Sequence, residues 1–502
     1  MTPHGLGPGS VLVHEGRIAW LGTDAAADAL TLSQARITHL HGALVTPGFV
    51  DSHVHATSTG LTLLGLDLST VTSARALLDA VANQSHEYPH SLIIGHGWDE
   101  SVWADTTLPT ADELESAGEG SHVYLTRVDA HSALVSRSLL TEIHELRDMR
   151  GFAESGWITE EAHHAVRERA LGSLDEGTRS RAQDSFLARA AQCGIVSVHE
   201  MAGPVISSAS DCAQLLARAR ELNGVRVLAY WGELAQLGGL EAARAIGAIG
   251  TGGDLFVDGS FGSHTACLHD PYSDLPDSRG REFIDVESLI SHVDACVRAG
   301  EQTGFHAIGD AATEAVIGAF AQAAEKHGVE AVKQRRHRIE HAESLTPQSI
   351  RQCSRLGLIA SMQPVFDERW GGREGMYAAR LGIERARLLN PIADLHAARV
   401  SVAFGSDTPV TPLDPWAAIR AAMNHQTPSQ RIGFHDAVRA QSRAGWHAAH
   451  VDSAGDIEVG AAAHLAIWAP SGELPEPGAL ALRTIIDGKT CWDSGQLEDV
   501  SC

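Results

Sequence analysis

His53 and His55 stand one residue apart in GFVDSHVHAT, at the end of an apolar run. In a strand, side chains alternate between faces, so both imidazoles point one way and Val54 the other. Three more residues fall at comparable places: His306 in GFHAIGD, His341 in HRIEHAE and Asp407 in VAFGSD. Each follows a short apolar stretch. Imidazole nitrogen and carboxylate oxygen together suit Zn²⁺ or a similar divalent ion. A single histidine of this kind is more often structural; the repetition of one type of position is what points to a metal. Such an ion acidifies a bound water toward neutral pH, and an adjacent carboxylate, here Asp407, takes the water's proton and later passes it to a leaving group. The chemistry implied is hydrolysis at a carbonyl or amidine-like carbon.

Residues so far apart in the chain converge only if a fold brings strand ends together. Eight runs read as strands ending in polar or titratable residues: GFVDSHVH, IVSVHE, VRVLAYW, LFVDG, GFHAIGD, HRIEH, LIASMQP and VSVAFGSD. Between them lie helical stretches with apolar residues at helical spacing, such as ATEAVIGAFAQAAEKH. The pattern predicts an α/β fold, a (β/α)8 TIM barrel over residues 48–454, with its active site at the C-terminal strand ends. Residues 60–185 do not fit the count. They hold two further strand-like runs, SLIIGHGWD and HVYLTRVDAH, and are read as a subdomain inserted after strand 1 and folded over the mouth. The first 47 residues alternate like short strands with turns, and the last 48 resemble them. Residues 1–47 and 455–502 are therefore expected to form one small β-sandwich domain from both termini.

Composition narrows the partners. The 502-residue chain is 44% hydrophobic and 20% charged, ordinary for a globular protein. A formal charge of −25 leaves no basic stripe for nucleic acid and reads as a solvated acidic surface. The seven cysteines, Cys193 through Cys502, are scattered and contain no C-x-x-C, which fits a reducing compartment. The opening MTPHGLGPGS lacks the pattern of a secretory signal, and no stretch has the length of a membrane span. The expectation is a cytoplasmic protein acting on a small molecule, without nucleic acid or membrane; composition leaves the oligomeric state, homodimer included, open.

The motifs TPGFVDSHVH, LTRVDAH, SVHEMAGP, FVDGSFGSHTA, HAIGDAAT, RHRIEHAE, ASMQP and AFGSDTPVTPLDP run from residue 46 to 415. In this order they resemble the amidohydrolase superfamily, and more closely its amidohydrolase 3 group, which includes N-substituted formamide deformylases. The resemblance implies a barrel, a sandwich of both termini, and a metal held by His53, His55, His306, His341 and Asp407. The N-terminal piece looks one strand short of the family's usual start. A second departure bears on the metal. Many relatives open strand 4 with a lysine in a pattern like K-x-F-x-D-G, and a carboxylated lysine there often bridges two ions. Here the matching residue is Asp254 in DLFVDG. An aspartate is shorter by several bonds and is not expected to reach that spot unless the backbone moves.

Two arrangements follow. One ion, the favoured count, sits on His53, His55, His306 and Asp407 with His341 hydrogen-bonding from behind. Alternatively, Glu200 in SVHE or Glu160 in SGWITEEA bridges two ions, although Glu160 also reads as a solvated helix charge. His131, within the resemblance, and His341 are candidates to stabilise charge on the substrate oxygen. Arg127, Trp98 and Asp258 are candidates to contact substrate. Arg127 paired with Asp129 would instead hold the insertion together, and Trp98 with Trp103 would instead pack it. The leading expectation is a metal-dependent amidohydrolase cleaving a non-peptide C–N bond of an amide or N-substituted formamide. A hydrolytic deaminase of an amino-substituted ring would use the same ligands, and a non-catalytic binding barrel is the third alternative.

Overall fold

The computed structural model describes residues 7, 9–30, 35–470 and 474–501. Most of the opening stretch read for a leader, and Cys502, lie outside them. Eight parallel strands organise the centre: β1 Phe49–Val54, β2 Ile195–Ala202, β3 Arg226–Trp231, β4 Gly250–Thr251, β5 Gly304–Ala307, β6 Arg338–His341, β7 Ile359–Met362 and β8 Ser401–Phe404. They pair as two four-stranded sheets, β4-β3-β2-β1 and β5-β6-β7-β8. Two seams join the sheets. At one, Phe256 bridges His306, and the Val257 and His306 amides donate to His306 and Leu255 carbonyls at 3.1 Å each. At the other, Val54 bridges Thr408 and the Asp407 amide donates to the His53 carbonyl at 2.8 Å. Pairing thus runs through all eight strands in chain order and returns to β1.

Burial follows from this closure. A parallel sheet covered by helices is buried on both faces and must be apolar toward the helices. Val198, Phe305, Ile339 and Phe404 occupy those outward positions in one large core with the surrounding helices. The lumen side of β6 carries Arg338 and Glu340 instead. Strict alternation would send His341 outward with Ile339. His341 and Ala342 have φ of 67° and 50°, a left-handed turn that costs a non-glycine residue about 1–2 kcal/mol each. Asp407, just past β8, has φ 55°. Strain of this kind at successive strand ends marks a rim shaped for a site rather than for stability.

The fourth strand is shorter than LFVDG suggested. Regular pairing covers Gly250–Thr251, and LFVDG keeps only the Phe256 bridge. Between β1 and β2 a separate five-stranded sheet forms, ordered Trp157–Thr159, Ser132–Val135, Val123–Arg127, Ile93–Trp98, Leu66–Asp67. The sequence reading anticipated two of those strands. Helix Glu160–Gly172 follows this sheet, and helix Glu176–Gln192 returns to pack on helix Ala56–Leu64 and on β2. Outside the ring, Leu44–Pro47 pairs with Leu465–Trp468, which continues into Arg483–Ile486 and Lys489–Asp493, while Arg36–Thr38 pairs with Asp499–Ser501. Among the described residues no helix is long and apolar enough to cross a membrane.

Candidate metal centre

Strand β1 delivers the two imidazoles on one face. His53 Nε2 lies 3.4 Å and His55 Nε2 3.2 Å from the same Asp407 oxygen. The far nitrogens are fixed: His53 Nδ1 bonds Glu340 at 2.9 Å, and His55 Nδ1 bonds the Met201 carbonyl at 3.1 Å. Those partners hold each ring so that Nε2 faces the carboxylates, the usual way a ligating histidine is oriented. Across the cluster stands Asp254. Its Oδ1 lies 3.1 Å from His306 Nδ1, 3.4 Å from His341 Nε2 and 3.8 Å from His53 Nε2; its Oδ2 lies 3.6 Å from His55 Nε2. His341 Nδ1 is tied to Gln363 Oε1 at 3.0 Å.

Asp254, not expected to reach so far, lies beside four histidines, and a sharp backbone bend brings it there. The chain leaves β4 through Gly252 and Gly253, with φ of 125° and 85°. A Cβ on Gly252 would stand 2.5 Å from the Gly304 carbonyl oxygen, and one on Gly253 2.7 Å from the Tyr230 Cβ. Only glycine permits both the positive φ and the close approach. The pair tucks the segment inward, so a short carboxylate reaches the histidines. TGGD was the sequence signal for it. The proposed bridges, in contrast, lie elsewhere. Glu200 Oε2 accepts from the Ala56 amide at 2.7 Å, and burial, against the charge of His55, raises its carboxyl to about 7. Glu160 pairs with Arg281 at 2.7 Å.

Electrostatics bind the cluster together. Burial alone would raise the Asp407 carboxyl, but the His53 charge and hydrogen bonds from His53 and His55 hold it well below the usual carboxylate range. Burial opposes charge on His53 too, yet Asp407 and Asp254 lift it well above an ordinary imidazole. His53 Nε2 is buried and has no well-formed hydrogen bond, although it is aimed at two carboxylates. An orphaned nitrogen among anionic oxygens is a position that a divalent cation satisfies. Two triads offer closely spaced donor atoms: His53, His55 and Asp407; and His53, Asp254 and His341. Nitrogen and oxygen donors of this kind fit zinc and its neighbours.

Beneath the cluster is a network the sequence reading missed. Arg338 donates to Glu340 at 2.6 and 3.0 Å, to the Ser52 carbonyl at 2.6 Å and to Ser361 Oγ at 3.0 Å. Burial would raise the Glu340 carboxyl, but Arg338 beside it holds it at about 2. Glu340 therefore stays ionised to accept from His53. Glu340→Gln should weaken metal affinity by about 10–100-fold, read by competition with a chromogenic chelator. The alternation in HRIEH placed Arg338 and Glu340 on one face and was the available clue.

Two cavities, one larger than the other, open on the cluster. His131 lines both. Its ring centroid is 5.3 Å from that of His306, and burial, then the His306 charge, press it down to about 3, leaving a neutral imidazole. Arg127 lines the smaller cavity with its guanidinium already occupied, and Trp98 and Asp258 line neither cavity. Arg127 spends its guanidinium on Asp129 and Asp99 at 2.9 Å each and on Glu100 at 2.8 Å. Asp129 in turn accepts from Ser260 and Ser263. Arg127 thus ties the inserted sheet to the loop after β4. Removing one partner of a buried ion network costs about 3–5 kcal/mol, so Arg127→Met should destabilise the fold by that order in urea unfolding. Trp98 is fully buried in the inserted sheet and donates to the Leu125 carbonyl at 2.9 Å. Asp258 accepts from the Cys267, Ile308 and Gly309 amides at 2.8–3.0 Å, and burial pushes its carboxyl to about 7.

Comparison with known proteins gives three findings. The amidohydrolase family matches residues 36–491. Among curated proteins, Protein LONG AFTER FAR-RED 3 of Arabidopsis thaliana is 28% identical over 484 residues, 88% of this chain and 80% of that protein. N-substituted formamide deformylase of Arthrobacter pascens is 22% identical over 528 residues, 95% of this chain and 94% of that one. Among solved structures, an uncharacterized metal-dependent hydrolase of Pyrococcus horikoshii OT3 superposes with a TM-score of 0.72 at 23% identity, covering 92% of this chain and 93% of that one, a likeness of fold.

Proposed function

The chain belongs to the amidohydrolase family, and from that premise we propose that it is a metal-dependent hydrolase cleaving a C–N bond of a small amide or N-substituted formamide. The observation that carries this is the convergence of His53 and His55 Nε2 on Asp407, with Asp254 facing both. Asp254 presents Oδ2 to His55 and Oδ1 to His306 and His341. The donors suit two divalent ions, most simply zinc: His53, His55, Asp407 and Asp254 would hold one, and Asp254, His306 and His341 would hold the other. This revises the single ion favoured from sequence. A divalent cation so held supplies Lewis acidity and a water acidified toward neutral pH.

The chain's own residues do the rest. Asp407 is ionised and faces the donor nitrogens, so it takes the proton of the attacking water and delivers it to the departing nitrogen. Neutral His131 has an N–H to give to the carbonyl oxygen as charge builds there. Strand β1, with Glu340 and the Met201 carbonyl behind it, holds both imidazoles in place. The larger cavity reaches His55, Asp254, His306 and Asp407, as a pocket for a small molecule would. The architecture is read as a (β/α)8 TIM barrel on residues 48–454, with 60–185 inserted over the mouth and a sandwich of both termini. No nucleic-acid partner is proposed. The test is a substrate panel on zinc-loaded protein: amides and formamides should release amine, whereas hydrolysis confined to ring amino groups, with ammonia as product, would contradict the amide reading proposed.

A further inference from the structure

Arg167 lies on helix Glu160–Gly172 of the inserted segment and lines the larger cavity together with Asp254, His306 and Asp407. Its guanidinium is held without a carboxylate: Nη2 donates to the Ala130 carbonyl, Nη1 to the Val205 carbonyl, and the Tyr124 hydroxyl accepts from it as well. Among the described residues it makes no ion pair, whereas the other cavity-lining arginine, Arg127, has three carboxylates. That is unusual in a chain with 63 acidic and 38 basic residues. The acids lining the same cavity are engaged elsewhere: Asp129 by Arg127, and Asp254 and Asp407 by the histidines. A guanidinium has five donors in a planar fork. Two carbonyls and one hydroxyl leave two of them for a ligand, enough for a two-pronged grip on a carboxylate. The same cavity also presents apolar side chains: Leu61, Ile94, Leu171, Ile206 and Phe256.

We propose that Arg167 is an anion subsite that selects substrates bearing a free carboxylate, namely amides of the N-acyl amino acid class with an apolar side chain. The carboxylate docks on the guanidinium fork, the side chain lies on the apolar wall, and the amide reaches the histidine–aspartate cluster. This rests on the hydrolase reading for the amide's fate, but not for the binding.

Binding and turnover are therefore measured separately. The probes are N-acetylphenylalanine, in both enantiomers, and the matching carboxamide, titrated calorimetrically into zinc-loaded protein. At least one acid enantiomer should bind about tenfold or more tighter than its carboxamide, as expected for a charge-assisted bond that the carboxamide cannot make. Arg167→Met should erase that preference, and Arg167→Lys should restore part of it. Thermal unfolding of both variants separates a lost subsite from a loosened loop, because the carbonyl bonds to Ala130 and Val205 also go. Equal binding of acid and carboxamide, no binding of either, or an unaltered preference in a folded Arg167→Met protein would each overturn the proposal. Carboxylate-dependent binding without hydrolysis would leave the subsite standing and count against the hydrolase reading.

Discussion

Asp407→Asn lowers kcat by about 10²–10⁴-fold, the range lost when a positioned proton carrier is removed. Asparagine keeps the shape and can still accept one hydrogen bond, but it cannot hold a proton from the attacking water at neutral pH. The native carboxyl is well suited to its role. His53 and His55 stand 3.4 and 3.2 Å from it, and positive charge beside it, that of His53 here or of a cation when bound, outweighs the burial that would otherwise neutralise it. Asp407 also contributes to one donor set, so kcat must be read beside metal content. The expected result is a large loss of turnover with at least one ion retained and a small change in KM. Turnover within tenfold of the native protein at equal metal content would remove Asp407 from proton transfer.

Asp254→Ala has the second large effect. Its two oxygens divide between His55 on one side and His306 and His341 on the other. Supporting residues behind a metal ligand cost about 10–100-fold in affinity when lost. Loss of a carboxylate shared by two ions should exceed that, leaving His306 and His341 with no anionic partner in the cluster. The expected outcome is at most one ion per chain by elemental analysis, against two in the native protein, with turnover falling in step. Asp254→Asn preserves the packing around Gly252 and Gly253 and separates lost charge from lost fold. If Asp254→Ala retains both ions at native affinity, Asp254 is not the bridge.

What could be read from sequence was set by range. His53 and His55 follow from alternation in one strand, and eight apolar runs with helices between them place His306, His341 and Asp407 at strand ends without further information. Asp254 required more. Its reach depends on two glycines at φ beyond +80° and on Tyr230 and Gly304 standing close enough to exclude any side chain. Arg127 and Trp98 illustrate the opposite limit. Their residue types suit a pocket, but the bonds to Asp99, Glu100 and the Leu125 carbonyl that bury them are tertiary. Asp258 has the residue type of a substrate contact, but its three amide donors come from segments up to 51 residues away. Within the insertion, Ser132–Val135 and Trp157–Thr159 are too short to show a period, and they form only against Val123–Arg127 and each other.

The central claim is that hydrolysis depends on cations held by this cluster, in a ratio set by Asp254. Metal-stripped protein titrated with Zn²⁺, while amine release from an N-acyl or N-formyl substrate is followed, tests it most directly. The account predicts no release without metal and a rise that saturates at two equivalents per chain. Full activity in the stripped protein, or zinc binding at the cluster that never restores hydrolysis, would contradict it.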